Sequence, residues 1–268
     1  MAVQELATEW PVASPAVRVL VMVPTYNEAE NIDEVLRRVR SALPGADVLV
    51  IDDASPDGTA DIADKLDEEL GQIQVLKRGA KSGLGSAYRA GFRWGLADGY
   101  DVMIEMDADL SHDPDSLPAL VDQVVHGADL AIGSRYVPGG SIPDWKWGRR
   151  TISRTGCLYA RLMLGLSVHD ATAGFRAYHR RALSRIDFEE VRADGYGFQV
   201  EMTYLTERAG GRIVEVPIEF RDRTLGRSKM SGRIVVEALI LVTRWGIRDR
   251  LRRLRGLRGS YEDLRARH

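Results

Sequence analysis

The sequence predicts an α/β fold, with three layers and helices on both faces of a mostly parallel central sheet. Two observations carry that expectation. Between residues 19 and 133, short valine- and isoleucine-rich runs alternate with stretches whose apolar residues recur at helical spacing. Such alternation favours a parallel sheet. Three of the runs also lead into acids, at Glu28, Asp53 and the pair Asp107/Asp109. Ligands of open α/β sheets gather at the carboxyl ends of strands.

Taken in order, residues 1–16 hold two prolines and no clear period, which predicts a flexible arm. Residues 19–23 form a buried strand that ends at Pro24. A helix starts in the acid-bearing stretch 27–31, with Ile32, Val35, Leu36 and Val39 inward and Pro44-Gly45 as its stop. Residues 48–51 are a second strand, ending at Asp52-Asp53. The turn 54–59 leads into a helix with Ile62, Ala63 and Leu66 inward. A strand at 73–76, a helix at 83–96, a strand at 102–106, a helix at 117–125 and a strand at 130–133 follow.

After Tyr136 the rhythm changes. A loop spans 138–145, and a helix is expected over 146–166, with apolar Leu158, Leu162 and Met163. Residues 171–178 read as irregular. A helix at 197–209, an alternating strand at 212–220, a charged loop at 221–229 and a last helix from Met230 complete the chain. No linker divides it. A single domain over 17–255 is expected, then a polar tail at 256–268.

The 268 residues carry a formal net charge of −2, which says little about partners. Its distribution says more: Arg244, Arg248, Arg250, Arg252, Arg253, Arg255 and Arg258 crowd the end. The most apolar stretch, residues 234–247, is broken by Glu237 and Arg244 and falls short of the roughly 18 residues of a membrane span. An apolar helix with a basic exit suits an anionic membrane surface. Cys157 is the single cysteine, so no intrachain disulfide forms. That fits a reducing cytosol. No charged start followed by an apolar run marks a signal peptide. The acidic sheet edge, and the scarcity of aromatics among the terminal arginines, argue against nucleic-acid binding.

The chemistry centres on Met106-Asp107-Ala108-Asp109. In extended structure, carboxylates one residue apart point to the same side. Two such oxygens suit a hard divalent cation that completes its shell with water and phosphates. Pro24-Thr25-Tyr26-Asn27-Glu28 offers a ring and an acid for a nucleoside, and Asp53 stands where an acid often holds a ribose hydroxyl. Singly, each is as well explained by a turn or a helix cap; together on one sheet edge they favour a site. Gly79-Ala80-Lys81-Ser82 lacks the full P-loop pattern; Gly83-Leu84-Gly85 opens a helix but lacks the dinucleotide fingerprint, and Gly83 and Gly85 are assigned to close backbone packing. No His/Cys cluster has zinc spacing, and no serine sits in a nucleophile elbow.

Residues 21–28, 51–59 and 106–112 together resemble inverting glycosyltransferases of the GT-A fold, family 2. Within that family, Gly133-Ser134-Arg135-Tyr136, residues 149–154, Asp170-Ala171-Thr172-Ala173-Gly174-Phe175-Arg176, and Val216-Pro217-Ile218 through Arg223 to Ser228-Lys229 are similar to dolichyl- or polyprenyl-phosphate mannose synthases. The likeness runs from about Val19 to the last helix. It implies transfer of mannose from GDP-mannose to a polyprenyl monophosphate. Pro24, Tyr26, Glu28, Ile51 and Asp53 would line the guanosine site. Asp107, Ala108 and Asp109 would meet the diphosphate, with both aspartates on Mg²⁺ or Mn²⁺. Arg135, Arg223 and Lys229 would face the donor or the phosphates, and Arg149 and Ser153 would hold the acceptor phosphate. Some relatives place a glutamine ligand where Ser111 stands here, so a serine or water would replace it.

An ionised phosphate monoester (second pKa about 6) needs no general base, and no compelling one is evident in the sequence. His112 and His169 are assigned capping or surface roles, and Asp170 and Asp194 structural ones. The resemblance implies a peripheral enzyme on the cytoplasmic face of the membrane. The last helix and residues 146–166 would approach the bilayer, with an integral membrane partner as a further candidate. The alternatives are another nucleotide sugar, or a non-catalytic nucleotide-sugar binding module.

Overall fold

A computed structural model describes residues 17–222 and 232–254. The expected N-terminal arm, the polar tail, Arg223 and Lys229 lie outside the described residues. Strands β1 (Val19–Thr25), β2 (Asp47–Asp52), β3 (Ile73–Lys77), β4 (Val102–Glu105), β5 (Leu130–Ser134), β6 (Arg176–His179) and β7 (Ile213–Pro217) form one seven-stranded sheet in the order β3-β2-β1-β4-β6-β5-β7. All neighbours are parallel except β6, which runs antiparallel to β4 and β5. The helices are α1 (Ile32–Ala42), α2 (Thr59–Leu70), α3 (Leu84–Ala97), α4 (Leu117–Val125), α5 (Trp147–Leu164), α6 (Arg180–Arg185), α7 (Tyr196–Arg208) and α8 (Gly232–Leu254).

Strand alternation sorts the core into two layers. Leu20, Met22, Leu49, Ile51, Met103 and Tyr178 face a cluster with Tyr88 and Phe92 of α3, Phe198 of α7 and Val242 of α8. Val21, Val23, Val48, Val50, Ile104 and Ala177 face one with α1 and α4. The carboxyl ends of β1, β2, β4 and β5 meet at one edge, and β6 begins there.

Three expectations change. Residues 171–178 are not wholly irregular, because Arg176–His179 is a strand at the middle of the sheet, pairing Arg176 with Glu105 and with Ile132. Its charged first residue hides it from an apolar-run reading. The Arg176 guanidinium is buried and satisfied by the carbonyls of Ala171, Ala173 and Gln199 and by Thr203 Oγ1. Helix α1 starts at Ile32, not at Asn27, because Asn27 adopts φ 56° and residues 27–31 turn first. The last strand is shorter than 212–220; beyond Pro217 only isolated bridges remain, from Glu219 to Ser141 and from Phe220 to His112.

Candidate active site

The strand ends deliver their acids through strained turns. Among the described residues, four non-glycine residues have positive φ. Three of them, Asn27, Ala54 and Leu110, directly follow Tyr26, Asp53 and Asp109. A left-handed residue other than glycine costs about 1–2 kcal/mol, and such strain clusters at functional sites.

Among the residues expected to line a nucleoside, Pro24 and Ile51 are register partners. Ile51 is wholly buried in the core, so it supports this surface from below. Asp52 turns inward to Thr25 and Ser55, which leaves Asp53 toward the loop after β3. Asp53 accepts the Ser82 amide at 3.0 Å and pairs with Arg78 Nη1 at 2.8 Å, close but not aligned as a hydrogen bond. Arg78 also reaches Ser86 Oγ at 2.7 Å. Lys81 Nζ lies 4.1 Å from the Tyr26 ring centre, a cation on the aromatic face. Glu28 accepts from Asn31 Nδ2 at 3.0 Å, and its amide donates to Thr59. Tyr26, Glu28 and Asp53 therefore border one region with Arg78 and Lys81, two cations that the sequence reading did not single out.

Asp107 and Asp109 lie in the turn beyond β4. Asp107 is part-exposed, and Asp109 is buried with Oδ1 accepting the Ser111 amide at 3.1 Å. His112 is not a surface residue. It is buried, stacks on Phe175 at 5.0 Å, and its Nδ1 accepts the Asp107 amide at 3.1 Å. It thereby fixes the backbone that carries the first aspartate. Ser111 Oγ is buried with no hydrogen-bond partner among the described residues, an orphaned oxygen beside Asp109. Two carboxylates and one unmatched hydroxyl fit a hard cation. Among the described residues no cluster of three or more His, Cys, Asp or Glu could hold one alone, so further ligands would be phosphate oxygens and water. Beneath the turn, burial pushes the Glu105 carboxyl up to about 8, although Arg176 and a 2.8 Å bond from Gln199 pull it down.

Arg135 is buried and already paired. Its Nε and Nη2 each meet Asp170 at 2.7 Å, and Nη2 reaches Thr172 at 2.8 Å. Its guanidinium lies 5.2–5.5 Å from the rings of Tyr136, Trp145 and Phe220. Burial works against both charges, yet the pair keeps Asp170 below and Arg135 above their ordinary values. Asp170 is structural, as expected. So is Asp194: it accepts the Gly85 amide at 2.7 Å and closes the start of α3. The packing role of these glycines also holds, since a Cβ on Gly83 or Gly85 would strike Asp194, or Phe198 and the Ala193 carbonyl.

Arg149 and Ser153 stand one turn apart on α5. Together with Trp145, Tyr196, Leu239 and Val242 they line a cavity of about 110 Å³ between α5 and α8. Arg149 is half-exposed, lies 4.0 Å from the Trp145 ring and pairs with Asp222 at 2.8 Å. Trp145 Nε1 binds the same carboxylate at 2.9 Å. Burial raises the pKa of half-buried Tyr196, with Arg135 and Arg149 pulling against it and Asp107 with it. A larger hollow of about 1120 Å³ lies on the other flank of α8, around Tyr204 and Trp245, and touches none of these groups.

Most of the large apolar residues of α5 face outward. Cys157, Ala160 and Leu164 are buried, while Trp147, Ile152, Leu158 and Leu162 are exposed, Trp147 by 82%. Leu239, Ile240, Ile247 and Leu251 are exposed on the adjoining α8. No helix of the described residues is long and apolar enough to cross a membrane.

The family model for glycosyl transferase family 2 matches residues 20–187. The undecaprenyl-phosphate mannosyltransferase of Micrococcus luteus is 56% identical over 242 residues, covering 90% of this chain and 99% of the relative. The polyprenol monophosphomannose synthase of Mycolicibacterium smegmatis is 51% identical, covering 91% and 92%. Among solved structures, the mannosyltransferase of Pyrobaculum calidifontis in complex with GDP-Man and Mn²⁺ aligns with TM-score 0.58 at 21% identity, covering 91% of this chain and 68% of that one. That likeness speaks for the fold, which is the expected GT-A type. By the family match and by relatives identical at more than half of the aligned positions, this chain belongs to glycosyl transferase family 2.

Proposed function

We propose that the protein transfers mannose from GDP-mannose to a polyprenyl monophosphate, with inversion at the anomeric carbon, at the cytoplasmic surface of a membrane. The observation that carries this reading is the placement of Arg149 and Ser153 on a cavity between two helices whose outer faces carry large exposed apolar side chains. A cation and a hydroxyl suit the phosphate, and the apolar surroundings suit the first units of a prenyl chain. The names of the two most similar relatives given above support the acceptor class and the sugar. The donor reading is supported by the nucleoside-facing set Tyr26, Glu28 and Asp53 and by the GDP-Man complex of the fold neighbour.

In this mechanism the chain positions two anions that would otherwise repel. Tyr26, Glu28 and Asp53 hold the nucleoside, with Lys81 and Arg78 at its edge. Asp107 and Asp109 would hold a divalent cation, Mg²⁺ or Mn²⁺, which when bound supplies positive charge against the leaving diphosphate. Arg149, whose contacts to Asp222 run through Nη1, offers its other nitrogens to the acceptor phosphate and brings one phosphate oxygen in line with the anomeric carbon, opposite the GDP. Arg135 keeps the Tyr136–Trp145 wall in place through its aromatic contacts, and Arg223 and Lys229 would add charge near the diphosphate. One displacement turns an α-linked donor into a β-linked product. Alignment and charge neutralisation do the work, because the nucleophile is already ionised. The outer faces of α5 and α8, with Lys146, Arg154, Arg244 and Arg250 beside them, rest on an anionic membrane.

The test is transfer from radiolabelled GDP-mannose to a short polyprenyl phosphate, with and without Mg²⁺ or Mn²⁺. A metal-dependent, mild-acid-labile mannolipid is the expected product. Product from another nucleotide sugar but none from GDP-mannose would change the donor. Tight nucleotide binding with no transfer from any donor would replace the enzyme by a binding module, or require an absent integral membrane partner.

A further inference from the structure

Ser153 departs from the hydrogen bonding that five other helical hydroxyls of the described residues share. Thr151, Ser184, Thr203, Thr206 and Thr243 all turn back and donate to the carbonyl four residues earlier, at 2.6–3.0 Å. That is the usual resting place for a helical serine or threonine. Ser153 Oγ instead accepts the phenol of Tyr136 at 2.7 Å. A serine hydroxyl has one proton and two lone pairs. With a lone pair taken by Tyr136 and no helix carbonyl among its partners, Ser153 Oγ has no acceptor for its proton among the described residues, and the residue lines the cavity.

Tyr136 is suited to this task. It stands two residues beyond the end of β5, next to the buried Arg135. Two guanidinium groups lie near its ring, Arg135 at 5.2 Å and Arg154 at 5.3 Å from the centroid. Cations at an aromatic ring draw on its electrons and make the phenol a stronger donor. Burial keeps the phenol protonated, against the opposing pull of Arg135 and Ser153.

We propose that Tyr136 is a positioning residue for the acceptor: its phenol donates into Ser153 Oγ, holds the serine off the α5 backbone, and leaves the serine proton to be given to an oxygen of the lipid phosphate. This rests on the reading of Ser153 as an acceptor-phosphate ligand. Hydrogen bonds in series polarise one another, so the Tyr136–Ser153–phosphate chain acts as one unit. The phenylalanine variant keeps the ring and both cation contacts and removes only the donor.

The experiment measures steady-state transfer with a short, water-soluble polyprenyl monophosphate for four proteins: wild type, Tyr136→Phe, Ser153→Ala and the double variant. Tyr136→Phe is expected to raise KM for the lipid phosphate about five- to tenfold, the factor of one hydrogen bond, with kcat and the KM for the sugar donor within twofold. Ser153→Ala is expected to do the same, and the double variant to be no worse than Ser153→Ala. A Tyr136→Phe protein with normal lipid-phosphate KM, beside a raised one for Ser153→Ala, overturns the proposal. So does a double variant whose defect is the product of the two, or a Tyr136→Phe defect shared equally by both substrates and kcat. A normal KM in Ser153→Ala removes the reading of Ser153 itself, and the proposal with it.

Discussion

Replacing Asp170 by Asn isolates the buried guanidinium of Arg135. The Asp170 side chain has no exposure and that of Arg135 has 4%. The carboxylate accepts Nε and Nη2 of Arg135 at 2.7 Å each and the Arg135 amide at 3.0 Å. Asp170→Asn keeps the shape and removes the charge, so Arg135 is left as an uncompensated buried cation. Breaking such a pair costs about 3–5 kcal/mol, and the retained amide oxygen favours the lower end. For a chain of this size that is a fall in Tm of roughly 6–12 °C. The double change Arg135→Met/Asp170→Leu should recover most of that loss, because well-packed apolar residues replace buried ion pairs at little cost. The assay is urea and thermal unfolding followed by far-UV circular dichroism. The acid limb gives a second reading. The folded Asp170 pKa is depressed, so its contribution is present above the unfolded value of about 3.9. It is lost as pH falls through the folded value, and Asp170→Asn should lack that loss below pH of about 4. An Asp170→Asn protein within about 1 kcal/mol of wild type would refute the account, since that is the range of a surface pair.

Asp109→Asn keeps an acceptor for the Ser111 amide, so the fold should survive while metal-supported transfer falls by about 10²-fold or more; near-normal turnover would remove the assignment of this carboxylate. Replacing Trp147 by Ala and Leu162 by Glu should lower co-sedimentation with anionic vesicles by at least about tenfold, the factor of one buried large side chain. Transfer to a water-soluble acceptor should be unchanged, and unaltered sedimentation would exclude this face from the membrane. Burial pushes the Glu201 carboxyl up to about 7, against the Ala193 amide and Arg248. A raised folded pKa means stability is lost as pH rises through that value, so Glu201→Gln should flatten the decline of the urea midpoint between about pH 4.5 and 7; an unchanged slope would show that the carboxyl is solvated.

What could be read from the sequence was local. Valine-rich runs closing on acids located β1, β2 and β4, because in a buried parallel strand the pattern is continuous and polarity begins where the strand ends. Contacts far apart in sequence could not be read this way. Arg176 looks like a surface residue until the carbonyls of Ala171, Ala173 and Gln199 are seen around it. Asp194 is 109 residues from the Gly85 amide that it binds. His112 carries no signal for burial except the nearby Phe175 and Phe220, which reach it only in the fold. The exposed apolar side of α5 was partly legible, since Leu158 and Leu162 were visible as apolar. Their outward direction depends on the small residues Cys157 and Ala160 taking the inner face.

The acceptor side also bears on which nucleophile the site can use. An alcohol must lose a proton as it attacks, which calls for a base near neutrality within hydrogen-bond reach. The titratable groups described around Arg149 and Ser153 do not supply one. Asp222 is bound to Arg149 and Trp145, and Asp170 to Arg135. Tyr136 and Tyr196 have pKa values raised by burial, so both remain protonated donors. Glu105 is the carboxyl near the site pushed up to about 8, yet it has no exposed surface and lies under the Asp107 turn. It cannot meet a substrate from there. A site rich in donors, with its acids already committed, suits a nucleophile that arrives ionised. A phosphate monoester does so at neutral pH, and its oxygens accept from the donors on the cavity. The same arrangement disfavours a sugar hydroxyl, whose proton would have nowhere to go.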